Sequence, residues 1–184
     1  EGAHQATIYA ELLAKQYKRK PFIFITNGFD MWFTDDMGKR RVSGFYTQSD
    51  LQRLIDRRQL KSPLQNTYIN PNIAGRTYQR SAILNTLEAY ANYRREVLLV
   101  MATGTGKTRT AISIVDILTR ANWAKNILFL ADRTALVKQA MRAFNTLLPE
   151  LTQANLTESR REDNNPSTSR MIFSTYPTMM NAID

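Results

Sequence analysis

Apolar positions along the chain change their spacing several times, and each change predicts an element. Over residues 7–18, Ile8, Tyr9, Leu12, Leu13 and Tyr17 fall at helical spacing and make one apolar stripe. Pro21 breaks that pattern. Phe22-Ile23-Phe24-Ile25 then reads as a buried strand closed by the turn signal Asn27-Gly28, with Met31-Trp32-Phe33 as a short return strand. Asp35-Asp36-Met37-Gly38-Lys39 is a polar turn. Asp50 to Leu60 predicts a helix that starts at Asp50, with Leu51, Leu54 and Ile55 inward and Arg53, Arg57 and Arg58 outward. Residues 1–60 therefore read as helix, hairpin, helix: the tail of an α+β domain.

Residues 61–75 have no period, and Pro63, Pro71, three Asn and Gly75 mark them as a linker or an extended docking loop. From residue 76 the order becomes helix, strand, helix, strand, helix, loop, strand. Arg76–Ala91 is a helix with Ile83, Leu84 and Leu87 on one face. Val97–Met101 is an apolar strand. Lys107–Arg120 is a helix with Ala111, Ile112, Val115 and Leu118 inward, and Ile127–Ala131 is a second buried strand. Thr134–Leu147 is a helix with Leu136, Val137, Ala140 and Phe144 inward. Residues 152–169, including Arg160-Arg161-Glu162-Asp163, read as a polar surface excursion before the strand Met171–Thr175. Apolar strands alternating with amphipathic helices predict a parallel sheet covered on both faces, here with too few strands for a complete doubly wound domain.

Composition narrows the chemistry. The 184 residues hold 25 Lys+Arg and 16 Asp+Glu, a net charge of +9 that is shared between the halves and suits a polyanionic partner such as nucleic acid. There is no Cys and one His (His4), which removes disulfides, thiolate zinc sites, Cys nucleophiles and multi-His metal sites. No apolar run approaches the ~18–20 residues that span a bilayer, and no secretory leader is visible. A chain that begins at Glu1 and ends at Asp184 just after a strand reads as a segment of something longer.

The strongest chemical signal is Thr103-Gly104-Thr105-Gly106-Lys107-Thr108, placed between a strand and a helix. Gly104 and Gly106 permit backbone conformations and close approach that a Cβ would block. Successive N–H groups then curl into an anion nest at a helix N-terminus. Lys107 has the reach to bridge β- and γ-phosphates, a contact worth roughly 1.5–3 kcal/mol. The Thr108 hydroxyl is suited to Mg²⁺. The strict pattern wants Gly where this chain has Met101, but the strand–loop–helix context is intact. Asp132 ends an apolar strand, as a Mg²⁺-orienting acid would. Arg133 stands where a second acid is expected, so the acidic motor motif is placed beyond Asp184.

Four segments in order resemble superfamily 2 helicase motifs: Arg76-x-Tyr78-Gln79; Met101 to Thr108; Leu130-Ala-Asp-Arg-Thr-Ala-Leu-Val-Lys-Gln139; and Ser174-Thr-Tyr-Pro-Thr-Met179. With His4-Gln5-Ala-Thr-Ile-Tyr9-Ala10, Pro21 to Gly28 and Val42 to Thr47, the chain is most similar to the R (restriction and motor) subunit of type I restriction enzymes. The resemblance implies an α/β fold: an incomplete RecA-like parallel sheet with flanking helices (76–184), preceded by a linker (61–75) and the α+β tail of a PD-(D/E)xK-type nuclease domain (1–60). It implies that Gln79 reads adenine with Arg76 nearby, and that Thr103, Gly104, Thr105, Gly106, Lys107 and Thr108 hold ATP and Mg²⁺. Asp132, Arg133, Gln139, Thr175 and Thr178 would lie along a DNA-tracking face. Gln5 and Tyr9 share a helix face and would support the nuclease centre, or else form a partly exposed helix edge. Tyr78 would stack on adenine or pack in the core. Trp32 and Trp123 read as packing residues, and Arg57-Arg58 and Lys39-Arg40-Arg41 as solvated faces.

The implied function is an ATP-dependent translocase of double-stranded DNA and endonuclease, cytoplasmic, working with methyltransferase and specificity subunits. Two alternatives stay open: a stand-alone superfamily 2 helicase for DNA or RNA, and a non-catalytic nucleotide-binding module. No Glu-x-Lys or Asp-x-Lys triplet occurs, and Asp36-Met-Gly-Lys39 is one residue too long, so nuclease carboxylates are expected before Glu1. The 184-residue chain alone is therefore expected to hydrolyse neither ATP nor DNA at a useful rate. A phosphate-release assay showing turnover that Lys107→Ala abolishes would contradict this.

Overall fold

A computed structural model describes residues 2–36, 38–158 and 165–183, which form two compact units. The basic stretch 160–163 lies outside the described residues. The first unit comprises residues 1–58 and 92–96, and the second residues 59–91 and 97–184.

In the first unit, α1 (Gly2–Tyr17) precedes an antiparallel sheet of β1 (Ile23–Thr26), β2 (Met31–Asp35) and β3 (Gly38–Val42), followed by α2 (Gln48–Leu60), which runs to the start of the second unit. The Asn27-Gly28 turn forms as its residues require. Asn27 Oδ1 accepts from the amides of Phe29 and Asp30, at 3.1 and 2.7 Å, and Gly28 takes a positive φ of 92°. Phe33 is fully buried among the rings of Phe22, Phe24 and Tyr46.

Strand β3 was not expected, because Lys39-Arg40-Arg41 reads as a solvated face. Charge is compatible with an edge strand, whose outer rim must resist pairing with other chains. Arg40 instead pairs with Asp35 at 2.8 Å and lies over the Phe33 ring. Arg58 covers Phe22 and donates to the carbonyl of Lys20. The apolar stripe of α1 is turned outward, and Ala10 is its buried residue. Helix α2 begins two residues before the expected Asp50. Thr47 and Asp50 exchange hydrogen bonds in a capping box, Asp50 N donating to Thr47 Oγ1 (3.2 Å) and Thr47 Oγ1 to Asp50 Oδ2 (2.7 Å).

The second unit contains α3 (Thr77–Ala91), α4 (Lys107–Arg120), β4 (Ile127–Ala131), α5 (Thr134–Leu147), β5 (Gln153–Asn155), β6 (Met171–Thr175) and α6 (Tyr176–Ile183). The strands form a parallel sheet in the order β4-β6-β5. β5 interrupts the expected polar excursion. Its Gln-Ala-Asn sequence has no apolar signature, yet all three residues are buried. Phe129, Phe144 and Phe173 stack around one point, with centroids 5.4–6.0 Å apart. Ile112, Val137, Leu148 and Met171 complete that core.

Three expectations fail here. Val97–Met101 is not a strand: Leu98 and Val100 are 86% and 89% exposed. A strand exists only through its ladder, and none of the described strands pairs with this segment. Leu128 and Leu130 are 46% and 41% exposed, so the described elements cover β4 on one face rather than two. Leu84 and Leu136 are exposed rather than inward.

Residues 61–75 also differ from their linker-like composition. Leu64, Ile69, Ile73 and Ala74 are buried, most of them against Ile83, Leu87 and Ile117. Ile117 of α4 packs against Leu64, Ile69 and Ala74 of this strap, and α4 also buries the polar Thr110, Ser113 and Asp116. Asp116 pairs with Arg120 at 2.8 Å, and Arg120 donates to the strap carbonyl of Tyr68 at 3.0 Å. Trp123 Nε1 donates to Ser62 O at 2.8 Å, and Trp32 packs beneath Lys39. Among the described residues, no helix is long and apolar enough to cross a membrane.

The hydrogen bond from the Thr47 hydroxyl holds the Asp50 carboxyl below its ordinary value. A depressed folded value means stability that is present above the unfolded pKa and lost as pH falls through the folded one. Thr47→Val is thus expected to lower the thermal midpoint at neutral pH, and the gap from wild type should close in acid. A gap of constant size across a calorimetric pH series would contradict the cap.

Candidate nucleotide-binding site

The loop 101–106 turns directly into α4. Gly104 and Gly106 adopt positive φ values of 80° and 85°, the left-handed region that only glycine enters at little cost. At Gly104 the space around a would-be Cβ is open, whereas at Gly106 a Cβ would collide with the Gln79 side-chain amide. Thr105 closes the turn, its N and Oγ1 both donating to the carbonyl of Ala102, at 3.4 and 2.7 Å. Lys107 Nζ folds back to donate to the carbonyls of Met101 (3.2 Å) and Ala102 (3.3 Å). The ammonium is therefore held by the loop itself. Thr103 is exposed and Thr108 half-buried in the first turn of α4.

The carbonyl of Thr105 faces the start of α3. It accepts from Gln79 Nε2 and from the Tyr78 hydroxyl, each at 3.0 Å. Gln79 is buried, and its Oε1 accepts from the Arg76 amide at 3.3 Å. Arg76 Nη1 donates to Tyr78 Oη at 2.7 Å, which raises the arginine's pKa and leaves it a fixed cation. Arg76, Tyr78 and Gln79 are thus brought to the loop, and Tyr78 is neither in the core nor wholly free. That contact with the loop was not legible in the sequence, because a phenol beside a glutamine carries no spacing signal. The first turn of α4 also carries Arg109, which no motif marks. Its Nε donates to Ile73 O at 2.8 Å, and its Nη2 to Asn72 O.

The remaining expected residues lie elsewhere. Asp132 and Arg133 follow the carboxyl end of β4 and form an exposed ion pair at 3.6 Å, a contact worth little in water. Gln139 is exposed on α5. Thr175 is buried at the end of β6, its hydroxyl sharing a 2.8 Å hydrogen bond with that of Thr178 at the head of α6. In the first unit, Gln5 is exposed on α1 and Tyr9 is 64% exposed. The cavity between α1 and its sheet, about 410 Å³, is lined by Thr7, Glu11, Ala14, Ile23, Thr34 and Asp35, and not by Gln5 or Tyr9. No cluster of three metal-ligating side chains occurs among the described residues.

These features define the class: an α/β unit whose parallel strands accompany a glycine-bearing loop at a helix head. The chain belongs to the family described as "Type III restriction enzyme, res subunit", which it matches over residues 72–184. It is 32% identical over 157 residues to the type I restriction enzyme EcoKI endonuclease subunit of Escherichia coli K12, which covers 75% of this chain and 13% of that one. It is 36% identical over 154 residues to the EcoAI endonuclease subunit of Escherichia coli, covering 76% of this chain and 18% of that one. The chain thus spans less than a fifth of the length of these relatives. A solved fragment assigned to an HsdR subunit of a type I restriction enzyme from Vibrio vulnificus YJ016 is similar over 99% of this chain and 33% of its own, with 24% identity and a TM-score of 0.47. The resemblance to type I restriction R subunits read from the motifs is borne out by the sequence matches to the EcoKI and EcoAI endonuclease subunits.

The two loop glycines separate backbone strain from crowding. Gly104→Ala should cost about 1 kcal/mol, from the left-handed conformation alone, and Gly106→Ala more, because Gln79 must also move. Urea unfolding of both variants checks the order, and equal costs would contradict the packing of Gln79 on the loop.

Proposed function

We propose that this chain contributes the ATP site of a motor that moves double-stranded DNA, within the endonuclease subunit of a type I restriction enzyme. One observation carries the reading: a loop with two left-handed glycines opens α4, curls around Lys107, and is touched by Gln79 from the side. ATP with Mg²⁺ fits this donor set. The amides of Thr103 to Thr108 and the Lys107 ammonium would hold the phosphates, and the Thr108 hydroxyl would meet the metal. When bound, ATP supplies the free energy of phosphoanhydride cleavage. Lys107 would leave the carbonyls of Met101 and Ala102 for phosphate oxygens, exchanging neutral acceptors for charged ones, which bind a cation more strongly.

Gln79 is suited to adenine without releasing the loop. Its side-chain amide has two N–H donors and two lone pairs, and the contacts to Thr105 and Arg76 use one of each. One donor and one acceptor remain, the pair that adenine N7 and N6 require. Asp132, Arg133, Gln139, Thr175 and Thr178 would follow the DNA backbone, with the net charge of +9 favouring that polyanion. Gln5 and Tyr9 would support a nuclease centre, with methyltransferase and specificity subunits as partners in a cytoplasmic complex. The curated relatives carry the endonuclease-subunit description that supports this assignment.

Titration calorimetry with ATP and Mg²⁺ tests the site. The chain is expected to bind, and Lys107→Ala to weaken binding by about tenfold or more, given the worth of one charge-assisted contact. Equal binding by both proteins would overturn the reading.

A further inference from the structure

The strap that precedes α3 is tied to the loop's own helix at a second point. Asn70 closes a single helical turn, its carbonyl accepting from the amides of Ile73 and Ala74 at 3.1 Å and its Oδ1 from Asn72 N at 3.0 Å. The carbonyl end of that turn faces Arg109, which donates to two successive carbonyls, those of Asn72 and Ile73. Gly75 keeps the turn compact, since a Cβ there would come 2.8 Å from the carbonyl oxygen of Pro71. From Gly75 the chain runs into Arg76 and α3, where Gln79 reaches back to Thr105. Thr105 leads through Gly106, Lys107 and Thr108 to Arg109, and the circuit closes.

The placement of Arg109 is not explained by helix stability. A cation in the first turn opposes the dipole of its own helix. What offsets that cost is the pair of carbonyls, and a planar guanidinium on two acceptors fixes orientation as well as distance.

We propose that Arg109 is a positioning residue. It sets the spacing between the base-side edge, Arg76 to Gln79, and the phosphate loop, Thr103 to Thr108. It therefore governs recognition of the whole nucleotide rather than of its phosphates. The inference rests on the nucleotide-site reading above and adds to it a residue outside the motifs.

The test compares two ligands on the full chain, ATP with Mg²⁺ and inorganic tripolyphosphate with Mg²⁺, by titration calorimetry. Arg109→Gln is expected to weaken ATP about tenfold, the worth of one charge-assisted contact, and to leave tripolyphosphate unchanged. Arg109→Lys keeps the charge but not the two-carbonyl grip, and is expected to weaken ATP selectively too. Arg120→Gln, which cuts the strap contact at Tyr68, is expected to lower the thermal midpoint and leave the ratio of the two affinities as in wild type.

Equal losses for both ligands in Arg109→Gln, or wild-type ATP binding by Arg109→Lys, would overturn the proposal, since charge alone would then explain the residue. A ratio shifted as much by Arg120→Gln as by the Arg109 variants would overturn it as well. If circular dichroism shows Arg109→Gln unfolded, Arg109→Lys decides by the same ratio. A wild-type chain that binds neither ligand removes the nucleotide site itself and this inference with it. A wild-type chain that binds both, with the ratio unmoved in the variants, removes this inference alone.

Discussion

The carbonyl of Thr105 is the acceptor on which the second unit's organisation turns. A loop that opens a helix must leave its first amides unpaired, because the helix has no earlier carbonyls to offer them. Such a loop keeps a defined shape when its carbonyls are taken up, from within the loop or from outside it. Here Gln79 and Tyr78 take Thr105 O, while Lys107 takes Met101 O and Ala102 O. The first amides of α4 are then the donors without intrahelical acceptors. In the proposed reading, an anion site follows from satisfying acceptors first and leaving donors for the ligand.

That arrangement depends on the strap. Residues 61–75 bury Leu64, Ile69, Ile73 and Ala74, and this burial brings α3 against α4. The apolar contacts hold the segment on the helix, but they are non-directional. Direction comes from Arg109 and Arg120, each gripping strap carbonyls from α4. The buried polar residues of α4 are held within the helix, Thr110 Oγ1 donating to Gly106 O and Asp116 pairing with Arg120.

Much of this was legible in the sequence, and the parts that were not share a cause. The helices from Thr77 to Leu147, the strands Ile127–Ala131 and Met171–Thr175 and the Asn27-Gly28 turn follow from periodicity and turn chemistry, which are local. The start of α4 at Lys107 was equally readable from its glycines. What could not be read depends on a partner distant in sequence. Val97–Met101 has a strand's composition but no ladder partner among the described residues, and Gln153–Asn155 has a ladder without the composition. The strap looks like a linker because prolines and asparagines encode its turns, while its four buried apolar residues have no period. Arg109 is silent for the same reason: its acceptors lie more than thirty residues away.

In the proposed reading, the same separation bears on how base and phosphates would be held. The Gln79 amide and the Arg109 guanidinium join the loop region to the strap and α3 at two points, Thr105 and Arg109, on consecutive turns of chain. A single tie would let the strap swing about it, and the base-side residues would move relative to the loop. Two ties remove that freedom, so in the proposed reading the entropy of aligning the two halves of the ligand site would be lost on folding instead of on binding. The cost to stability falls on groups that are already ordered by the core, which is where such a cost is smallest. In the proposed reading, the order of events follows from this: the base-side edge is set before any nucleotide arrives, and Lys107, whose present acceptors are neutral carbonyls, is the group left to rearrange.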